Sequence, residues 1–174
     1  MLIFEYFFTS GLAQISYLVG DSKAAVAAVI DPRRDIDIYL QMAKEQGLRI
    51  AYVIETHIHA EVIGGRSDEY RFDLRHVSDG EVLELGQVRL QIMHSPSHTP
   101  EHISLQLFDT QQGSDPIALF TGDTLFNLDV GRPDLLGEGS ERKLASELFH
   151  TLFDRYLPLG DRIEIYSFHG AGSA

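Results

Sequence analysis

His57 and His59 stand two apart in THIHAEV, directly after an apolar run that ends at Glu55. In an extended backbone, side chains two apart project to one side, so both imidazoles face one point at the end of the strand. Imidazole is a common ligand of zinc and iron. An isolated His-x-His is more often a pair of surface histidines, but two further stretches add donors. SPSHTPEH holds His98 between Pro96 and Pro100, which stiffen its loop, and FTGDT places Asp123 behind Gly122, just after the apolar run Ile117 to Thr121. A TGD or a His near Pro says little alone. Taken in order, these residues make metal chemistry the reading to test.

The chain has no cysteine, which removes disulfides, thiolate ligands and a thiol nucleophile, so a metal must take His, Asp or Glu, and any sulfur chemistry must act on a substrate's sulfur. This fits a cytoplasmic protein. A formal charge of -12 would repel a phosphate backbone, so nucleic acid is not an expected partner. No apolar stretch approaches the roughly 20 residues that span a bilayer, and MLIFEYFF lacks the basic leader of a signal peptide, so a membrane is not expected either.

The elements that must position these residues follow from periodicity. Val-, Ile-, Phe- and Tyr-rich runs predict strands at Leu2 to Phe8, Ile15 to Val19, Ala24 to Ile30, Ile50 to Glu55, Val88 to Met93, Ile103 to Phe108 and Ile117 to Thr121. Helices are predicted from Asp35 to Gln46, with Ile36, Ile38, Leu40 and Ala43 apolar and Gly47 as the stop, and from Glu141 to Arg155 behind a Ser140 cap, with Leu144, Leu148, Thr151 and Leu152 on one face. The 174 residues are enough for one core, and no linker or repeat divides them, so residues 1–174 are read as one domain. The closing HGAGSA stops just after His169, and the chain is expected to be truncated there.

HxHxE, HTPEH, FTGDT and His169 in FHG, in that order, resemble the metallo-β-lactamase superfamily over nearly the whole chain. The resemblance implies an αββα sandwich of two mixed sheets with outer helices and a metal in the groove along one edge. ISLQLF, the stretch from FTGDT through DVGRPDL (Asp129 to Leu135) and HGAGSA are similar to bacterial persulfide dioxygenases, including rhodanese-fused members. That likeness implies one Fe(2+) ion held by His57, His98 and Asp123, with Asp123 the residue assigned to catalysis. His59 matches a ligand of hydrolytic members and is carried as a further candidate. The reaction implied is oxidation of glutathione persulfide, or a similar low-molecular-weight persulfide, by O2 to sulfite and thiol. A rhodanese domain or protein, and a second copy of the chain, are the partners the resemblance leaves open.

Two departures bear on this. Dinuclear hydrolases carry HxHxDH, but here Glu61 and Val62 occupy the last two positions, and Val62 has no donor atom. His169 is then expected to support the ligands rather than bind a second ion, while the role of Glu61 stays open. Between Gly65 and HVSDGE only RSDEYRFDLR intervenes where the family has room for a helix and a strand, so residues near 65–67 are expected to be missing. Arg132 reads equally as a contact for an anionic substrate group and as an ion pair with Asp129 or Asp134. Tyr17 and Tyr166 read either as lining the site or, as aromatic residues at strand positions more often are, as core, and they are assigned no role. The alternatives are a Zn(2+)-dependent thioester hydrolase of the glyoxalase II type, in which metal-bound water is the nucleophile, and an inactive module of the same fold.

Overall fold

Alternation along the strands sets which faces are buried. In Val88–His94 (β6), Val88, Leu90 and Ile92 point inward, and in Val82–Leu85 (β5) it is Leu83 and Leu85. The computed structural model describes residues 1–57, 75–97, 99–135 and 139–170. One sheet is ordered β1-β2-β3-β4, from Leu2–Thr9 (β1), Gln14–Asp21 (β2), Val26–Ile30 (β3) and Arg49–Ile54 (β4). The other is ordered β11-β8-β7-β6-β5, adding Ile103–Asp109 (β7), Ala118–Gly122 (β8) and Glu164–Ser167 (β11). Leu125–Phe126 (β9) and Asp129–Val130 (β10) form a separate small hairpin. Both sheets are mixed, because β3 pairs β4 and β8 pairs β11 in parallel while their other pairings are antiparallel.

The central core lies between the sheets. Tyr17, Val19, Ala28 and Ile30 from one meet Leu90, Leu105, Leu107 and Phe120 from the other. Phe4, Tyr17, Phe120 and Tyr166 form a ring cluster there, with Phe120 5.0 Å from Tyr17 and 5.6 Å from Tyr166; Tyr17 is buried in the core, while Tyr166 is half-buried at its margin, with its hydroxyl bonded to Glu164. Asp37–Glu45 (α1) links β3 to β4 and covers the outer face of its sheet, where Tyr39 and Ala43 pack on Leu18, Ala27 and Val29. Glu141–His150 (α2) opens the segment whose later turns cover the other sheet, with Tyr156 against Met93 and Leu119. The architecture is the αββα sandwich.

The helices differ from expectation in detail. Ile36 and Leu40 are more than half exposed, because the buried face of α1 is set by the Tyr39 and Ala43 pair one turn apart. Gly47, at φ +67, ends that helix as expected, and Leu48 N–H donates to the Ala43 carbonyl at 2.7 Å. Ser140 sits at the start of α2 with helical backbone angles, and its side chain makes no capping hydrogen bond. The helix expected to reach Arg155 changes at Thr151 to a π turn, Thr151–Tyr156, followed by a 3-10 turn at Leu157–Leu159. The wider turn brings Thr151 and Tyr156, five apart, onto one buried face. Among the described residues, no helix is long and apolar enough to cross a membrane. Residues 65–67 lie outside the described residues.

Candidate metal centre

Four carboxyl ends of strands meet at one edge of the sandwich. Asp31 follows β3, Thr56 and His57 follow β4, Asp123 follows β8, and His169 follows β11. Parallel pairing puts the ends of β3 and β4 side by side, and likewise those of β8 and β11. Ile103 N–H donates to the Thr56 carbonyl at 2.8 Å, tying one sheet to the other at this edge. Ile15 N–H reaches the Phe168 carbonyl at 2.6 Å and seats β11 against β2.

His57 and Asp123 are both buried, with Nε2 of the imidazole 3.4 Å from Oδ2 of the carboxylate. The Thr56 hydroxyl donates to Asp31 Oδ2 at 3.0 Å, so its oxygen accepts from His57 Nδ1–H at 2.9 Å. His57 Nε2 is therefore directed at Asp123, and between a ring lone pair and a carboxylate something positive must lie, either a proton or a metal ion. Two donors each about 2.1 Å from one ion stand about 3.0–3.4 Å apart at right-angled to tetrahedral geometry. The pair fits that separation, and it is long for a charge-assisted hydrogen bond. His57 and Asp123 are thus suited to share an ion.

His169 Nδ1–H donates to the other carboxylate oxygen, Asp123 Oδ1, at 2.7 Å. Burial pushes the Asp123 carboxyl up, but the hydrogen bond from His169 and the neighbouring His57 imidazole outweigh it and hold the group well below the usual carboxylate range. His98, His59 and Glu61 lie outside the described residues. Among the described residues no group of three His, Asp or Glu is disposed around one ion. Arg132 forms a two-bonded pair with Asp134, at 3.1 and 2.7 Å, on the surface.

Two residues of this edge were given no role by sequence reasoning. Asp31 is buried and accepts both the Thr56 backbone N–H, at 2.7 Å, and its hydroxyl. Burial, opposed by the His57 charge and the Thr56 hydrogen bonds, raises its carboxyl to about 6. Its signal was a carboxylate directly after an apolar run, the same pattern that pointed to Asp123. His102, in the quoted HTPEH, is fully buried and stacks on His57 with ring centroids 5.2 Å apart and planes 18° from parallel.

A two-sheet sandwich with outer helices and a His and Asp cluster at the strand ends defines a metallo-β-lactamase-type domain. The chain is 30% identical over 175 residues to the mitochondrial persulfide dioxygenase ETHE1 of Homo sapiens, covering 88% of this chain and 63% of that protein. It is 32% identical over 154 residues to the cytoplasmic hydroxyacylglutathione hydrolase of Arabidopsis thaliana, covering 79% of this chain and 57% of that one. Among solved structures, a metallo-beta-lactamase from Staphylococcus aureus subsp. aureus COL superposes with a TM-score of 0.86 at 35% identity over 99% of this chain and 57% of its own. ETHE1 from Myxococcus xanthus gives 0.79 at 28% identity over 99% of this chain and 77% of its own. No family model matches. The chain belongs to the metallo-β-lactamase superfamily. It spans less than two thirds of the length of these curated relatives.

Proposed function

We propose that the chain is a mononuclear non-haem iron persulfide dioxygenase domain, with His57, His98 and Asp123 holding one ferrous ion. The observation that carries this reading is the facing pair of His57 Nε2 and Asp123 Oδ2, spaced for one ion, in a chain 30% identical to a persulfide dioxygenase. Val62 supplies no donor where a second ion would need one. Two imidazoles and one carboxylate leave positions open for two reactants, and a ferrous ion there supplies the redox chemistry.

The chain's own residues do the positioning. Asp31 holds Thr56, and Thr56 fixes the His57 ring so that Nε2, the nitrogen that would hold the ion, faces Asp123. His169 occupies Asp123 Oδ1 and leaves Oδ2 turned toward His57. In the overall reaction a persulfide, dioxygen and water give the thiol, sulfite and two protons. The outer sulfur loses the four electrons that dioxygen gains. Glutathione persulfide is the proposed substrate, a cytoplasmic setting the proposed location, and a rhodanese domain or protein a proposed source of persulfide.

A zinc-dependent thioester hydrolase is the second reading, supported by the likeness to hydroxyacylglutathione hydrolase. Metal analysis of protein purified without oxygen, followed by an oxygen-electrode assay on glutathione persulfide, separates the two. Iron-loaded protein is expected to consume oxygen and release sulfite, and zinc-loaded protein to be inert because zinc has no redox chemistry. Thioester cleavage by the zinc form, with no oxygen uptake by the iron form, would replace the dioxygenase reading; no reaction by either form would leave an inactive module.

A further inference from the structure

We propose that His102 is a positioning residue for the metal centre, a neutral imidazole that fixes both expected ligands, His57 and Asp123, without binding the ion. The role rests on the reading of those two residues as metal ligands.

The hydrogen-bond pattern assigns its proton. The Asp123 backbone N–H points at His102 Nε2, 3.2 Å away, and an amide N–H only donates, so Nε2 presents its lone pair and the proton is on Nδ1. Nδ1–H then donates toward the Ser95 hydroxyl at 3.0 Å, with the Thr124 hydroxyl 3.2 Å from the same nitrogen. Ser95 passes its own bond to Ser104 at 2.8 Å, and Ser104 meets the Tyr156 hydroxyl. Ser95, Ser104 and His102 are fully buried and Tyr156 nearly so. The result is a polar chain running from the Asp123 main chain through the sheet to the π turn beyond α2.

Fixing that one N–H matters because Asp123 sits on a corner. Gly122, at φ +52, turns the chain just before it, and Thr124 N–H closes the turn on the Thr121 carbonyl at 3.0 Å. A main-chain clamp at the corner sets the direction in which the carboxylate leaves the backbone, and so where Oδ2 meets His57. The same ring lies flat against His57, whose plane it limits. His102 needs the close approach that only a glycine allows: a Cβ at position 122 would stand 2.5 Å from Nε2. A fully buried imidazole that was merely filling space would need none of this alignment.

The test compares His102→Gln, whose side-chain oxygen keeps an acceptor near the Nε2 position, with His102→Leu and with Tyr156→Phe. In metal-free wild type, 15N NMR is expected to show the Nδ1-protonated tautomer of His102 and a slowly exchanging Asp123 amide, and the protection of that amide is expected to be retained in His102→Gln and lost in His102→Leu. Titration with zinc and, anaerobically, with ferrous ion is expected to give about tenfold or more weaker binding in His102→Leu, near-native binding in His102→Gln and a severalfold loss in Tyr156→Phe. Equal affinity and Asp123 protection in wild type and His102→Leu would overturn the proposal, as would a His102→Gln variant that loses as much as the Leu variant. If His102→Leu does not fold, the Gln and Phe variants decide in the same way. Should wild type bind neither metal while the Asp123 amide follows the predicted pattern, the ligand reading fails and the clamp on the Asp123 corner stands.

Discussion

Thr56 is bound to Asp31 twice, through its backbone N–H to one carboxylate oxygen and through its hydroxyl to the other, and neither residue is exposed to solvent. A single carboxylate thereby orients the residue that orients His57.

This carboxylate leaves a pH signature. Burial raises Asp31 from 3.8 to about 6, so between those values the folded state keeps a proton that the unfolded state has lost. Its contribution to stability is therefore full below about pH 4 and falls as pH rises to 6, by about 3 kcal/mol at 1.36 kcal/mol per unit. Urea unfolding of metal-free wild type and Asp31→Asn across this range is expected to show a decline in wild type relative to the variant. Parallel curves would show that Asp31 does not titrate in that window.

Gly122→Ala is expected to destabilise the fold by about 3 kcal/mol, from left-handed backbone strain together with overpacking. The added methyl would stand 2.5 Å from His102 Nε2 and 2.6 Å from Thr56 Oγ1. Thermal unfolding checks the loss, and a metal titration on the surviving folded protein should be weakened in the same variant.

The Arg132 and Asp134 pair separates two readings of that loop. Both ends are exposed, so Arg132→Ala should leave the unfolding midpoint unchanged. If the pair only shapes the loop, Arg132→Ala and Asp134→Ala will change KM for glutathione persulfide alike. A rise in KM confined to Arg132→Ala shows instead that the guanidinium meets the substrate's anionic end.

His57→Ala is expected to abolish iron binding, while His59→Ala should retain iron and lose mainly rate. Metal content after anaerobic reconstitution decides, and equal loss in the two variants shows that a third histidine ligates the ion.

The strands were legible where alternation was long enough to show, as in β6 and β7, and their observed bounds lie within a residue or two of those expected. β5 was not, because VLEL is short and abuts the Gly86 turn. β11 escaped for a related reason: its four residues are half exposed, and their place is fixed by parallel pairing with β8, a long-range contact that local pattern does not carry. Of the site, His57 and Asp123 were readable as donor types at strand ends. Asp31 and His102 were not singled out, since their importance lies in hydrogen bonds to residues 25 and 21 positions away. His59, Glu61 and His98 lie outside the described residues.

The parallel pairings of β3 with β4 and of β8 with β11 also fix when the site comes into being. Antiparallel hairpins such as β1 and β2 close over a few residues, but Ala118 must find Glu164 across the whole α2 segment before His169 can reach Asp123. Such distant closures cost chain entropy before any contact offsets it, so they are expected to form late. A half-folded chain would therefore hold its histidines and aspartates apart, and binding of an ion at the proposed centre would favour the final docking of β11.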